Sequence, residues 1–259
     1  MIGWLIYSAV DVEKNKYYIQ MYKDKFKEHF IEIKLVIVEE LENMEQYVKC
    51  NKVDFAINRS RNHIMGELLE QKGVRVFNSS SVTRIANNKG ITYEFLKDVV
   101  PFLAVKYGNE IIESKIENKG FEYPYVIKSC SGHGGSQVFL VNNRKEEEQA
   151  VKAMNGQEYV VQQCCSDLGR DVRVYIIGNK IIKAVLRTST ESFKSNYSLG
   201  GKVQEYTLNN EEKAMVERIV DKLPLDYAGI DFTFHNGKAV FNEIEDAVGA
   251  RMLYQVSDI

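Results

Sequence analysis

The chain has 259 residues, 44% of them hydrophobic and 27% charged, with a formal net charge of -2. That length fits one large domain or two small ones, and those proportions exclude a fibre and a disordered chain. The near-neutral balance, with no basic stripe interleaved with aromatics, argues against a nucleic-acid binder.

The amino terminus has no basic leader, and its apolar run stops after a few residues. A signal peptide or membrane span is therefore not expected, and residues 2–7 read as a buried first strand. Tyr18, Met21, Tyr22, Phe26 and His29 recur at helical spacing, and Ile31, Ile33, Leu35 and Ile37 at strand period. Residues 54–57 and 74–77 read as further strands, with a helix marked by Ile64, Leu68 and Leu69 between them. Strands separated by helices predict a small α/β domain with a parallel sheet over 1–78. No GxGxxG follows the first strand, so a dinucleotide site is not expected there. The serines at 79–81 read as a domain junction and helix cap, and 82–100 as one helix ending before Pro101. From there the pattern is α+β. Strands are predicted at 123–128, 136–141, 158–163, 171–177 and 180–187, a hairpin at 228–243, and helices at 144–154 and 209–222. Cys50, Cys130, Cys164 and Cys165 show no CxxC spacing. They give no zinc site and fit reduced thiols in a cytoplasmic protein.

Four elements carry chemistry. In residues 125–136 a strand delivers Lys128 directly into a small-residue loop containing Gly132, His133, Gly134 and Gly135. Glycines let backbone N–H groups approach phosphates and the lysine adds a point charge, although this is not a Walker A motif and a flexible hairpin loop would look the same. Asn236-Gly237 marks a hairpin that places Asp231 on one strand and Glu243 and Glu245 on one face of the next. Three carboxylates together repel unless a cation lies between them, and magnesium takes such hard oxygens; the alternative is a solvated acidic edge. Asp171 and Arg173 share a face of a strand whose return strand ends at Arg187; a surface ion pair is the alternative. Residues 193–201 form a polar loop with two glycines that could present Lys194 and Asn196 to a nucleotide.

In this order, from about residue 79 onward, the sequence resembles the ATP-grasp superfamily, nearest to its RimK-type branch of glutamate and amino-acid ligases. The matching pieces are Val126-Ile127-Lys128 with its glycine loop, Val160-Val161-Gln162-Gln163, Asp171-Val172-Arg173, Lys194-Ser195-Asn196 with Gly200-Gly201, Ala228-Gly229-Ile230-Asp231 and Asn242-Glu243-Ile244-Glu245. The resemblance implies an ATP-grasp fold over 79–259, with a central subdomain at about 100–165 and a carboxyl-terminal one at about 166–259, preceded by the small α/β domain.

Carried over by position, it implies that Lys128 holds the α- and β-phosphates with Lys89 as a second lysine. Gln163 and Cys164 would pair with adenine through backbone groups, Asp171 would contact ATP near the ribose, and Lys194, Ser195 and Asn196 would line the pocket. Asp231, Glu243 and Glu245 would hold Mg2+ or Mn2+. The implied reaction joins a small-molecule or peptide carboxylate to an amine through an acyl phosphate, releasing ADP and phosphate. Arg173 and Arg187 would stabilise the phosphoryl group and the oxyanion, and Arg251 would contact phosphate or the carboxylate. Asp231→Asn and Glu243→Gln are expected to abolish ADP release with the fold intact. The sequence departs from the family at Glu245, where asparagine is usual, at the turn 246–251, and at Gln163-Cys164, where Glu-Tyr is common; the chain also stops soon after Arg251. An ATP-binding protein without turnover and a phosphotransferase are the competing readings. The substrates stay open, as does the oligomeric state, dimers and tetramers being common among such enzymes.

Overall fold

The computed structural model describes residues 1–108, 121–135, 137–195 and 200–257. Two compact units divide the chain. The first comprises 1–84 with the short segments 225–228 and 246–248; the second comprises 85–224, 229–245 and 249–259.

In the first unit β1 (Ile2–Tyr7), β2 (Glu32–Ile37), β3 (Phe55–Asn58) and β4 (Arg75–Phe77) form the expected parallel sheet, in the order β2-β1-β3-β4. Both faces of β1 are covered, which is why its sequence is continuously apolar. Trp4 and Ile6 enter one core with Met65 and Leu69; Leu5 and Tyr7 enter another with Ile19 and Ile33. Each such side chain contributes about 1.5–3 kcal/mol by leaving water. A helix at Met44–Cys50 was not expected from the sequence. It is seven residues long and buries only Val48, too little to show a period, and it starts where the Asn43 side chain accepts from Gln46 N–H.

The single helix expected over 82–100 is two helices, Ser80–Ala86 and Lys89–Leu96. Asn88 separates them. Its backbone is extended and its side-chain oxygen caps Ile91 N–H, so the chain restarts a helix with Lys89 in the first position.

The second unit holds two sheets. β5 (Val105–Tyr107), β6 (Tyr125–Ser129), β7 (Val138–Val141) and β8 (Tyr159–Gln163) lie in the order β5-β8-β6-β7. β9 (Arg170–Ile177), β10 (Lys180–Thr188), β11 (Lys202–Tyr206), β12 (Tyr227–His235) and β13 (Lys238–Glu245) lie in the order β11-β10-β9-β12-β13. β5 and β11 are sheet edges with little apolar alternation, which hid them from the sequence. The helices Arg144–Ala153 and Asn210–Lys222 were both expected; the second opens with a capping box between Asn209 and Glu212. Among the described residues no helix is long and apolar enough to cross a membrane.

Candidate active site

Alternation along β6 builds one wall of a cleft. Tyr125 and Ile127 enter the core with Ala150 and Met154, while Val126 and Lys128 point the other way and line the cleft. Lys128 is only 4% exposed. Its Nζ donates to Tyr93 Oη at 2.6 Å and to Asn242 Oδ1 at 3.1 Å. Both partners are neutral, so burial dominates and pushes the ammonium down to about 8. Tyr93 in turn donates to the Asn242 carbonyl at 2.6 Å and accepts from Gln162 Nε2 at 3.1 Å.

Lys89 lies one helical turn before Tyr93, on the same face of its helix. Its Nζ donates to the Gly132 carbonyl at 2.6 Å and stands 3.6 Å from Glu243 Oε2. The glycine loop turns through Gly134 and Gly135, whose φ angles of +64° and +77° favour glycine. Lys194 Nζ donates to the Gly135 carbonyl at 2.6 Å. The two cationic side chains thus each brace the loop through a carbonyl.

A β-bulge shapes the opposite wall. Asp231 pairs with Glu243 but Phe232 pairs with Phe241, so Asn242 is the extra residue of β13. With strict alternation Asn242 and Glu243 would face opposite ways. The bulge brings both to the cleft, one toward Lys128 and the other toward Lys89.

Beside this lies a chain of charge. Arg187 is paired across the ladder with Asp171, and its Nε and Nη2 hold the two Asp171 oxygens at 2.5 and 2.7 Å. Arg187 Nη2 also reaches Asp231 Oδ2 at 2.7 Å. Arg173 grips both Asp231 oxygens at 2.7 Å and Glu245 Oε2 at 2.7 Å. Asp231 is fully buried; burial alone would raise its carboxyl, and the two guanidinium groups hold it down to about 2. The pairing of Asp171 with Arg187 is a part-buried cross-strand contact, closed over on the arginine side.

The three acidic residues read as a metal trio do not gather as one ligand group. Among the described residues no set of three or more His, Cys, Asp or Glu side chains is placed to hold a metal ion. Three neighbouring carboxylates need positive charge, and this chain supplies it itself: Arg173 and Arg187 for Asp231, Arg173 for Glu245 and Lys89 for Glu243. The donor set suits a hard divalent cation in chemistry; the present arrangement does not cage one.

Of the other expected site residues, Gly132, Gln163, Asp171, Lys194 and Ser195 line the cleft with those already described. Cys164 does not; its neighbour Cys165 does, because successive residues of an extended segment face opposite ways. Gln163 N–H is already bonded to the Ala104 carbonyl at 2.9 Å. Arg251 is exposed and outside the cleft lining, and Arg173 lies behind the lining, against Asp231. Asn196 falls outside the described residues. Sequence reasoning missed Tyr93, Asn242, Gln162 and Cys165. Asn242 and Gln162 stand within recognised motifs, but nothing local marks their side chains as contacts of Lys128 or Tyr93.

Two sheets of one unit, a loop braced by lysines and a wall bearing carboxylates define an ATP-grasp enzyme. The model described as a RimK-like ATP-grasp domain matches residues 80–259, and the chain belongs to that family. It is a ligase that forms C–N bonds, and the family supports ATP-dependent amide formation in general. The chain is 31% identical over 253 residues to the uncharacterized protein MG011 homolog of Mycoplasma pneumoniae, covering 96% of this chain and 85% of that protein. It is 26% identical over 228 residues to a "Probable alpha-L-glutamate ligase" of Maridesulfovibrio salexigens, covering 86% and 67%. Its fold matches that of D-alanine–D-alanine ligase from Bacillus anthracis complexed with ATP, with a TM-score of 0.74 at 17% identity, over 96% of this chain and 87% of that one.

Proposed function

We propose that the cleft binds ATP and that the enzyme joins a carboxylate to an amine through an acyl phosphate. The observation that carries this reading is the convergence of Lys89, Lys128 and Lys194 around the glycine loop, facing Glu243 and Arg187. The carboxylate oxygen attacks the γ-phosphorus and ADP leaves. The amine then attacks the acyl carbon, phosphate departs, and the amine loses a proton. No covalent nucleophile of the protein is needed; positioning and charge do the work.

Lys128 and Lys89 are the candidates for phosphate contact, with Gly134 and Gly135 allowing close backbone approach. Arg187, which lines the cleft, is the candidate for stabilising charge on the phosphoryl group. Arg173 holds Asp231 in place behind it. Gln163 and Cys165, which line the cleft, are the candidates for contact with the adenine base, and Asp171 and Ser195 for the sugar. Of the three acidic residues, Glu243 alone lines the cleft and is the oxygen donor a phosphate-bound divalent cation would meet there; Asp231 and Glu245 are held by Arg173 and Arg187. The alpha-L-glutamate ligase relative makes an amino acid the first amine or carboxylate to test. A matrix of acids and amines, read for both ADP and product mass, decides the reading. Amide product with matching ADP supports it, phosphoryl transfer to a hydroxyl points to a phosphotransferase, and ADP without amide sinks it.

The Glu245–Arg173 pair favours a second reading, an ATP-binding protein in which that arginine is withheld from turnover. It predicts nucleotide binding with no ADP release over the same matrix.

A further inference from the structure

The carboxyl ends of β1 and β3 carry chemistry that the ATP cleft does not use. The chain goes from β1 to β2 on one side of the sheet and then to β3 on the other, so the strand order reverses between β1 and β3. In open parallel sheets such a reversal leaves a crevice beyond the carboxyl ends of the two strands, where ligands bind. Tyr7 ends β1. Arg59 follows β3 directly, and its N–H is bonded to the Ile6 carbonyl at 2.8 Å.

Arg59 is 6% exposed. Its Nη2 donates to the carbonyls of Ala247 and Val248 at 3.1 and 2.7 Å, which uses both hydrogens of that nitrogen. Nε and Nη1, also buried, donate to no acceptor among the described residues, and neither does the buried Tyr7 Oη. The rings of Tyr18 and Tyr227 flank the guanidinium at 5.8 and 5.3 Å, and the phenols of Tyr7 and Tyr22 are within electrostatic reach of it. Ring faces offset part of the charge but do not accept the in-plane N–H hydrogens. The loop around Arg59 is pinned: Asn58 Oδ1 accepts from Ser60 N–H at 3.1 Å and from its hydroxyl at 2.7 Å. Neighbouring Arg61 is neutralised by Asp11 at 2.7 Å. A rigidly held buried cation with unspent donors is costly for the fold, and native proteins keep few such groups.

We propose that Arg59 and Tyr7 form a binding site for a small carboxylate in the amino-terminal unit. The anion accepts from the unspent guanidinium hydrogens and from the Tyr7 hydroxyl. The inference goes beyond the ligase reading and needs no nucleotide, so either can fail alone.

The test uses the full chain without ATP. Acetate, glutarate and L-glutamate are compared with acetamide, glutaramide and L-glutamine by saturation-transfer NMR and calorimetry. At least one acid is expected to bind more tightly than its amide. Arg59→Lys is expected to abolish that preference, and Tyr7→Phe to weaken the acid by about tenfold with the melting temperature retained. Should Arg59→Lys fail to fold, Tyr7→Phe decides, since it removes one hydroxyl that has no partner. Equal binding of acid and amide, no binding of any acid, or acid binding unchanged in Tyr7→Phe would overturn the proposal and leave Arg59 a stacking residue.

Discussion

Replacing Lys128 with methionine keeps the length of the side chain and removes its charge. At neutral pH the ammonium is protonated in both the folded and unfolded chain. Burial lowers it to about 8 from an ordinary 10.5, so the folded protein carries a cation disfavoured by about 3 kcal/mol, at about 1.4 kcal/mol for each pH unit. Losing the contacts to Tyr93 and Asn242 gives back about 1–2 kcal/mol. Lys128→Met is therefore expected to be about 1–2 kcal/mol more stable without ligand, a few degrees in Tm. The same change removes a charge-assisted phosphate contact of about 1.5–3 kcal/mol, so half-saturation by ATP should rise about ten- to hundredfold. The linkage has a definite sign. Between pH 8 and 10.5 the unfolded chain keeps the Lys128 proton and the folded chain releases it, so ligand-free stability from this group rises with pH across that window. The methionine variant lacks that rise. Urea unfolding at several pH values and an ATP titration of ADP release measure both sides. A variant less stable than its parent with an unchanged ATP requirement would refute the reasoning.

Asp231→Asn is expected to damage the fold as well as ADP release, which revises the expectation drawn from sequence. It leaves Arg173 and Arg187 buried with their shared carboxylate gone, at a cost of about 3–5 kcal/mol in urea unfolding; a loss below about 1 kcal/mol would contradict the paired geometry. In the parent, the stability from this carboxyl is present above its unfolded value near 4 and disappears as pH falls toward about 2, which an acid titration followed by circular dichroism reads directly. Glu243→Gln changes a partly exposed side chain and should keep the fold to within about 1 kcal/mol while ADP release drops by about a hundredfold; retained turnover removes Glu243 from the site. The thiol of Cys165, drawn below the ordinary cysteine range by Cys164 beside it, lines the cleft and should react with iodoacetamide before Cys164 does, and more slowly when ATP is present. Peptide mass spectrometry showing equal labelling of Cys164 and Cys165, or no protection by ATP, counts against the cleft assignment.

Much of the fold was legible in the sequence because it is written in local periods. The unbroken apolar run of β1, the helical spacing from Tyr18 to Phe26 and the Asn236-Gly237 turn each state their structure within a few residues. Elements were missed where that signal is short or weak: the seven-residue helix Met44–Cys50, the edge strands β5 and β11, and the break at Asn88. The cleft was legible in part. Lys128, the glycine loop and Glu243 share a motif order that survives without geometry, and Lys89 followed from the resemblance.

The fixed order of carboxylates, lysines and glycines on alternating strands and loops can be read from the chain alone. Which charges meet is set by the folded chain. Alternation says which residues share a face, but not that a one-residue bulge turns Asn242 toward Lys128, nor that two arginines on β9 and β10 reach across the sheet to Asp231. Side-chain reach and strand order set these pairings. Both depend on contacts between residues 44 and 114 positions apart, and no window along the chain contains them.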